Sequence, residues 1–290
     1  MMQDPRVLKS NGRVAHVSLA GQVTADRFTE GESWQVVTGT AVISDADGAK
    51  RERELLFGQG FRVLEIRGRL AFGFCEHNGY VGHVDTSCLA RDRPAPTHRV
   101  AARLTWCKAA PDLKARNEVL LLSFGAQVAA GDTRGDWTEI ALCAGAAGGP
   151  SRAWVPSAHL VPLDRRETDP VAVAERLLGT PYLWGGNSVF GIDCSGLVEA
   201  GCLACGIACP GDSDLQETAL GQTLPEDASL RRGDLLFWKG HVGWVAGADL
   251  LLHANAHHMA VAHEPLQAAI ARIEAQGDGP VTRRARLESP

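Results

Sequence analysis

The chain has 290 residues, room for about two domains at roughly 150 residues each, and 45% of them are apolar, which excludes a disordered chain. Its 29 basic and 34 acidic residues leave a net charge of −5, so there is no footprint for general binding to nucleic acid or an anionic membrane. No apolar run approaches the ~18 residues of a spanning helix.

The N-terminus MMQDPRVLKSNGRVAHVSLAGQV has basic residues but no compact apolar stretch after them. No secretory signal is expected, which favours a cytoplasmic location. The eight cysteines, at 75, 88, 107, 143, 194, 202, 205 and 209, are too sparse for a small disulfide scaffold. A chain of this length builds cores without staples, so most should be buried, reduced thiols.

Residues 14–90 read as short strands separated by turns: VAHVSL, SWQVV, TAVISD, FRVLEI, RLAFGFC and YVGHVD. Asn78-Gly79 marks a tight turn. The segment RDRPAPTH, 91–98, reads as a domain boundary. Residues 99–163 repeat the style in RVAARLTWC, VLLLSFGAQVAA, DWTEIALC and SRAWVPSAHLVPL. LLFGQGFRVLE is similar to LLSFGAQVAA, and YVGHVDTSCL to AWVPSAHLVPL. Two related small β-domains, barrels or sandwiches, are expected.

The polar, proline-bounded PLDRRETDP, 162–170, reads as a linker. VAVAERLLGT, 171–180, then has a helical face, with Gly179 able to end it. A glycine-rich PYLWGGNSVFG leads to Asp193 and the helical spacing of CSGLVEAGCLACGI. ETALGQTLP suggests a short helix or turn, and RRGDLLFWKG, HVGWVAGA and DLLLHANA suggest three strands. EPLQAAIARIEA, 264–275, is a helix candidate, and the tail VTRRARLESP is expected to add an edge strand. Helices followed by antiparallel strands make an α+β domain.

Asp193 suits a helix N-cap, which puts Cys194 at the first helical position. Helix N-terminal amides and the helix dipole favour a thiolate there. The competing reading is a buried cysteine that follows a cap. A nucleophilic cysteine needs a base. His241 opens one strand candidate and His253 ends the next, so a short turn at Ala248-Asp249 brings both imidazoles to one end. His241 then serves as base and His253 as its orienting partner. The alternative is two ordinary histidines. His257, His258 and His263 read as loop residues.

Cys202, Cys205 and Cys209 form C-x2-C-x3-C, which with Cys194 or a histidine offers a zinc or iron–sulfur site. The same spacing lies on one helical face among apolar neighbours, so a run of buried thiols explains it without a metal. No H-E-x-x-H, phosphate-loop or dinucleotide motif is present, and no cofactor is expected.

PYLWGGNSVFGIDCSGLV, 181–198, followed by RRGDLLFW, HVGWV and LLHA, resembles the NlpC/P60 cysteine peptidases over about 168–285. The resemblance implies a papain-like catalytic domain at 168–290, preceded by two SH3-like β-barrel domains at 1–92 and 97–164. It implies Cys194 as nucleophile, His241 as general base, His253 as the residue that orients it and Tyr182 as a group over the site. The subgroup implied is the γ-D-glutamyl-L-diamino acid endopeptidases, which act on murein peptides with a free N-terminal L-Ala. In GDSDLQ, 211–216, Asp212 and Ser213 match positions that bind the substrate ammonium. From the residues alone this segment reads first as an Asx-type turn before a helix. Tyr80 matches an aromatic near the N-terminal alanine. Where the subgroup has glutamate, LLFGQG has Gln59, and the nearest acid is Glu54.

A first SH3-like domain that blocks the cleft would exclude cross-linked murein and admit short peptides, which suits peptide recycling. The diamino acid, diaminopimelate or lysine, and the oligomeric state stay open. So do three other readings: a secreted hydrolase of intact peptidoglycan, a non-enzymatic wall-peptide binder, and a thiol acyltransferase or amidase.

Overall fold

In the computed structural model, residues 4–143 and 150–287 are described. They fall into two units, Met1–Arg165 and Arg166–Pro290. The first is built of short strands, and the second mixes helices with an antiparallel sheet.

In the first unit, residues 32–90 form a seven-stranded antiparallel sheet. Its order is Arg51–Leu56, Thr40–Ser44, Val81–Asp85, Leu70–Cys75, Gly60–Arg67, Glu32–Val36 and Leu89–Ala90. Ile43, Leu55, Phe61, Val63, Tyr80 and Val84 fill its core. Arg51–Leu56 escapes the sequence reading because RERELL has no alternation of apolar and polar residues. Arg53 and Glu54 are both buried there, and Glu54 pairs with Arg51 at 3.0 Å. VAHVSL is a strand only over Val14–His16, since the His16 side chain accepts the Ser18 amide and turns Val17–Leu19 into a 3-10 helix.

Residues 98–162 form a five-stranded and a three-stranded sheet. RVAARLTWC is not one strand but two, His98–Val100 and Leu104–Lys108. The polar strand Ala130–Arg134 escapes the sequence reading because it is a mostly exposed edge with no apolar face. The core here is Val100, Cys107, Leu122, Val128, Ile140 and Val155, with Leu56 and Phe57 packed into it.

The two halves share a backbone pattern that aligns the repeat. In the first, Gly58 N–H donates to Val36 O and Val36 N–H to Gln59 O; in the second, Gly125 N–H donates to Val100 O and Val100 N–H to Ala126 O. Both glycines are left-handed, at φ +78° and +84°. Each half ends in a strand, a 3-10 turn (Thr86–Cys88, Ser157–His159) and a short strand. Gly58 has a second constraint: a Cβ there would lie 1.9 Å from Gln127 O.

In the second unit, six antiparallel strands run in the order Gln222–Thr223, Arg283–Arg286, Asp234–Trp238, His241–Gly247, Leu250–Asn255 and Ala260–Pro265. Among the described residues four α-helices accompany them: α1 (Pro170–Glu175), α2 (Cys194–Ala204), α3 (Ser213–Ala219) and α4 (Leu266–Ile273). α2 packs on α1 and on the His241 and Leu250 strands. No described helix is long and apolar enough to cross a membrane.

Three expectations are corrected. The C-terminal segment is no edge strand; Arg283–Arg286 lies between Gln222–Thr223 and Asp234–Trp238. Its place is held by Arg286, which makes a two-pronged ion pair with the fully buried Asp234 at 2.7 and 2.8 Å. His263 is no loop residue but sits in the Ala260–Pro265 strand, while His257 and His258 do lie in a turn. α1 stops at Glu175 rather than running to Gly179, and turns carry the chain on to that glycine at φ +76°.

Asp234 also accepts the Arg231 amide at 2.9 Å, closing the RRGD turn. Asp234→Ala removes both partners' acceptor and leaves Arg286 partly buried and unpaired. The expected loss of stability is about 2–3 kcal/mol, below that of a fully buried pair because Arg286 keeps some solvent. Urea unfolding of the variant against the parent measures it.

Candidate active site

The start of α2 is shaped by one buried carboxylate. Asp193 Oδ1 accepts the Gly196 amide at 2.7 Å and the Ser195 hydroxyl at 3.0 Å. Asp193 Oδ2 accepts the Gly185 amide at 2.8 Å. The N-cap therefore also ties the helix to the glycine loop before it. Gly196 permits that approach: a Cβ there would lie 2.5 Å from both Asn187 Oδ1 and Gly186 O. The DCSG run thus needs its aspartate and its glycine for reasons of packing, and both hold Cys194 at the helix start. Cys194 is buried at 6% exposure.

Tyr182 lies in the preceding loop. Its amide donates to Met259 O at 2.9 Å, and it bridges to Ile192, just before Asp193. Asp212 occupies the N-cap position of α3 but makes no capping hydrogen bond with its side chain, and Ser213 is the first helical residue. α3 packs against α2 and the His241 strand. Gln216, fully buried, fastens it by donating to Ser195 O and Pro210 O, each at 2.9 Å.

His241 opens its strand and His253 comes late in the next, as the turn chemistry led one to expect. The registers explain how they meet. Trp244 pairs with Leu252, so Gly243 faces His253; a Cβ on Gly243 would sit 3.2 Å from His253 Cβ. His241 is therefore the diagonal neighbour of His253 across a glycine, and its Nε2 lies 2.9 Å from His253 Nδ1. On the other side His253 pairs with Ala262. Across that small residue the diagonal neighbour is Glu264, whose Oε2 lies 3.1 Å from His253 Nε2. Glu264 is clamped by Arg272 of α4 at 2.9 and 2.7 Å.

Gln216, Glu264 and Arg272 were invisible in the sequence reading. The one available signal was the diagonal rule, and using it required the register of a strand that the reading did not place.

Burial, then the charges of His253 and Arg272, push the His241 pKa well below the ordinary imidazole range. Burial does the same to His253, against the pull of Glu264. The Arg272 hydrogen bond holds Glu264 down at about 2. In the unfolded chain these groups take up protons near their ordinary values of 6.5 for histidine and 4.5 for glutamate. The unfolded state therefore binds more protons as pH falls below those values, and stability drops on acidification. The melting temperature is expected to fall between about pH 6.5 and 4. His253→Gln should flatten the upper part of that fall, and melts across the range check it.

Tyr80 and Glu54 lie in the first unit. Tyr80 belongs to its hydrophobic core and is 3% exposed. Gln59 is turned back on its own loop, its Oε1 accepting the Leu56 amide at 2.8 Å. Cys202, Cys205 and Cys209 are buried thiols outside any disulfide. Among the described residues they form no ligand group for a metal; the group that does gather is His253, His258 and Glu264.

Residues 179–273 match the NlpC/P60 family, and residues 43–89 match the bacterial dipeptidyl-peptidase SH3 domain. The chain carries an NlpC/P60 domain. It is 33% identical over 122 residues to dipeptidyl-peptidase 6 of Lysinibacillus sphaericus, a match covering 41% of this chain and 45% of that protein. It is 44% identical over 85 residues to a γ-D-glutamyl-L-lysine dipeptidyl-peptidase of Bacillus subtilis (strain 168), covering 27% of this chain and 28% of that protein. The chain thus spans less than half the length of these curated relatives. An NlpC/P60 family protein from Bacillus cereus ATCC 10987 shares the fold, with a TM-score of 0.73 at 18% identity over 89% of this chain and all of that one. An NlpC/P60 endopeptidase from Photobacterium damselae subsp. piscicida gives a TM-score of 0.60 at 15% identity, over 89% of this chain and 74% of that one. Within the NlpC/P60 domain lie Cys194, His241, His253, Glu264 and Arg272, together with Tyr182, Asp212 and Ser213.

Proposed function

We propose that this chain is a cysteine endopeptidase that hydrolyses the γ-D-glutamyl-L-diamino acid bond of short murein peptides with a free N-terminal L-Ala. The observation that carries the reading is the His241–His253 pair at 2.9 Å, on strands packed by the helix that begins at Cys194. All three residues lie in the NlpC/P60 match, and two of the relatives are named γ-D-glutamyl-L-lysine dipeptidyl-peptidase.

In this mechanism His241 takes the Cys194 thiol proton and the sulfur attacks the γ-glutamyl carbonyl. The tetrahedral oxyanion forms beside the Cys194 amide at the positive end of α2. The imidazolium returns its proton to the departing amine, leaving an acyl-thioester. Water, deprotonated by His241, then attacks the thioester, and the thiol is restored. His253 orients His241, and Tyr182 lies over the reacting groups.

Asp212 and Ser213 are assigned to the substrate ammonium, for which a carboxylate and a hydroxyl are suitable partners. A stem peptide still attached to glycan has that nitrogen acylated, so ammonium recognition selects peptides already released. The shared hydrogen-bond pattern of the two halves of the first unit supports reading both 1–92 and 97–164 as SH3-like domains.

The test is hydrolysis of L-Ala-γ-D-Glu-meso-diaminopimelate and its lysine counterpart, with products identified by mass spectrometry. Cleavage should yield L-Ala-γ-D-Glu and the free diamino acid. N-acetylation of the alanine should slow it about 100-fold, the order expected when a charged recognition contact in the site is lost. Equal cleavage of acetylated and free peptides would reject the role of Asp212. Release from intact sacculi at a comparable rate would reject the restriction to short peptides.

A further inference from the structure

The peptidase reading requires His241 to offer a lone pair to the thiol, and a neutral imidazole does so at only one of its two nitrogens. What decides which nitrogen is the far end of the hydrogen-bond chain. This inference deepens the peptidase reading and rests on it for its catalytic consequence. We propose that Glu264, clamped by Arg272, is the positioning residue that fixes the tautomers of both His253 and His241.

The derivation starts at Arg272. Its Nε donates to Glu264 Oε1 and its Nη2 to Oε2, at 2.9 and 2.7 Å. A carboxylate paired in this way stays ionised and only accepts hydrogen bonds. Oε2 faces His253 Nε2 at 3.1 Å, so Nε2 carries the His253 proton and donates it. His253 Nδ1 is then an acceptor. It faces His241 Nε2 at 2.9 Å, and two acceptors do not bond, so His241 Nε2 carries the proton. His241 Nδ1 is left as the lone pair, the nitrogen free to act as base. Reversing the tautomer of His253 would reverse that of His241 and remove the base.

The surroundings leave the carboxylate in control. His253 is fully buried, so bulk water does not compete for its Nε2. Ala262 and Gly243, facing His253 from either side, are small enough for both diagonal contacts. The other titratable group nearby is His258, whose ring centroid lies 6.5 Å from that of His253 and whose Nδ1 is engaged with Asn255 Oδ1 at 3.0 Å. Arg272 is further held by Gln276 Oε1 at 2.8 Å.

The experiment has two parts. In the wild-type chain, ¹⁵N chemical shifts of selectively labelled histidine at neutral pH report which nitrogens are protonated. His253 and His241 should both be Nε2–H; an Nδ1–H form of either would overturn the proposal without any variant. Glu264→Gln then supplies an amide whose NH₂ can donate to His253 Nε2, so an Nδ1–H population should appear. Its kcat should fall about 100-fold, short of the ~10⁴-fold cost of a wrong tautomer one step closer to the nucleophile, with KM changed less than twofold. Glu264→Asp, which keeps an acceptor, should recover most of the kcat. An unchanged tautomer pattern in Glu264→Gln, or a kcat within twofold of wild type, would defeat the proposal. Failure of the peptidase reading looks different: the wild-type chain would not cleave the peptide at all, while the ¹⁵N pattern would still answer for Glu264.

Discussion

Cys194→Ala is expected to abolish turnover of the tripeptide, a loss of about 10⁴-fold or more, while the protein stays folded. The substitution removes one sulfur from a buried position beside the Asp193 cap and Gly196, which define where the helix begins. His241→Ala should cost nearly as much, because nucleophile and base act as one unit and their losses do not add. His253→Ala should be milder and leave measurable activity, since it orients the base without touching the scissile bond. Steady-state rates, with circular dichroism to confirm folding, check all three. Alkylation of Cys194 by iodoacetamide gives a second readout that needs no peptide. It should slow sharply in His241→Ala, and turnover at wild-type rate by Cys194→Ala would end the mechanism.

The second large effect is expected at a residue that performs no chemistry. Asp193→Ala deletes a buried carboxylate, leaving the amides of Gly185 and Gly196 and the hydroxyl of Ser195 without its oxygens. Losing a charged acceptor from buried donors costs about 1.5–3 kcal/mol per strong contact and is not additive, so the expected loss is about 3–5 kcal/mol. Because the same contacts set where α2 begins, kcat should fall too, by about 100-fold, the scale of a 1 Å misplacement of a reacting group. Asp193→Asn keeps one acceptor oxygen and should lie between the two. If Asp193→Ala unfolds at the same urea concentration as wild type, the carboxylate does not organise the helix start.

The contrast between these residues shows where sequence reading succeeds. Asp193, Cys194 and Gly196 are neighbours in the chain, so capping preference and the demand for a small residue were visible locally. His241 and His253 were legible because one short turn joins their strands, and a two-strand hairpin follows from local chemistry. The strand pattern of YVGHVD and RLAFGFC was legible for the same reason, whereas RERELL was not, since it buries the charged Arg53 and Glu54 and so lacks the alternation that marks a strand.

What the linear chain determined, then, was a capped cysteine at a helix start, the hairpin that pairs two imidazoles, and the β-rich character of the first half. Only the tertiary structure decided that Arg283–Arg286 enters the sheet beside Asp234, that Gln216 fastens α3 to the first turn of α2, and that Glu264 and Arg272 complete the histidine chain. The reason is physical. Caps and tight turns are closed by groups a few residues apart, so composition reveals them. Diagonal contacts across strands and ion pairs between a strand and a later helix depend on register, and register is set by the packing of the whole sheet.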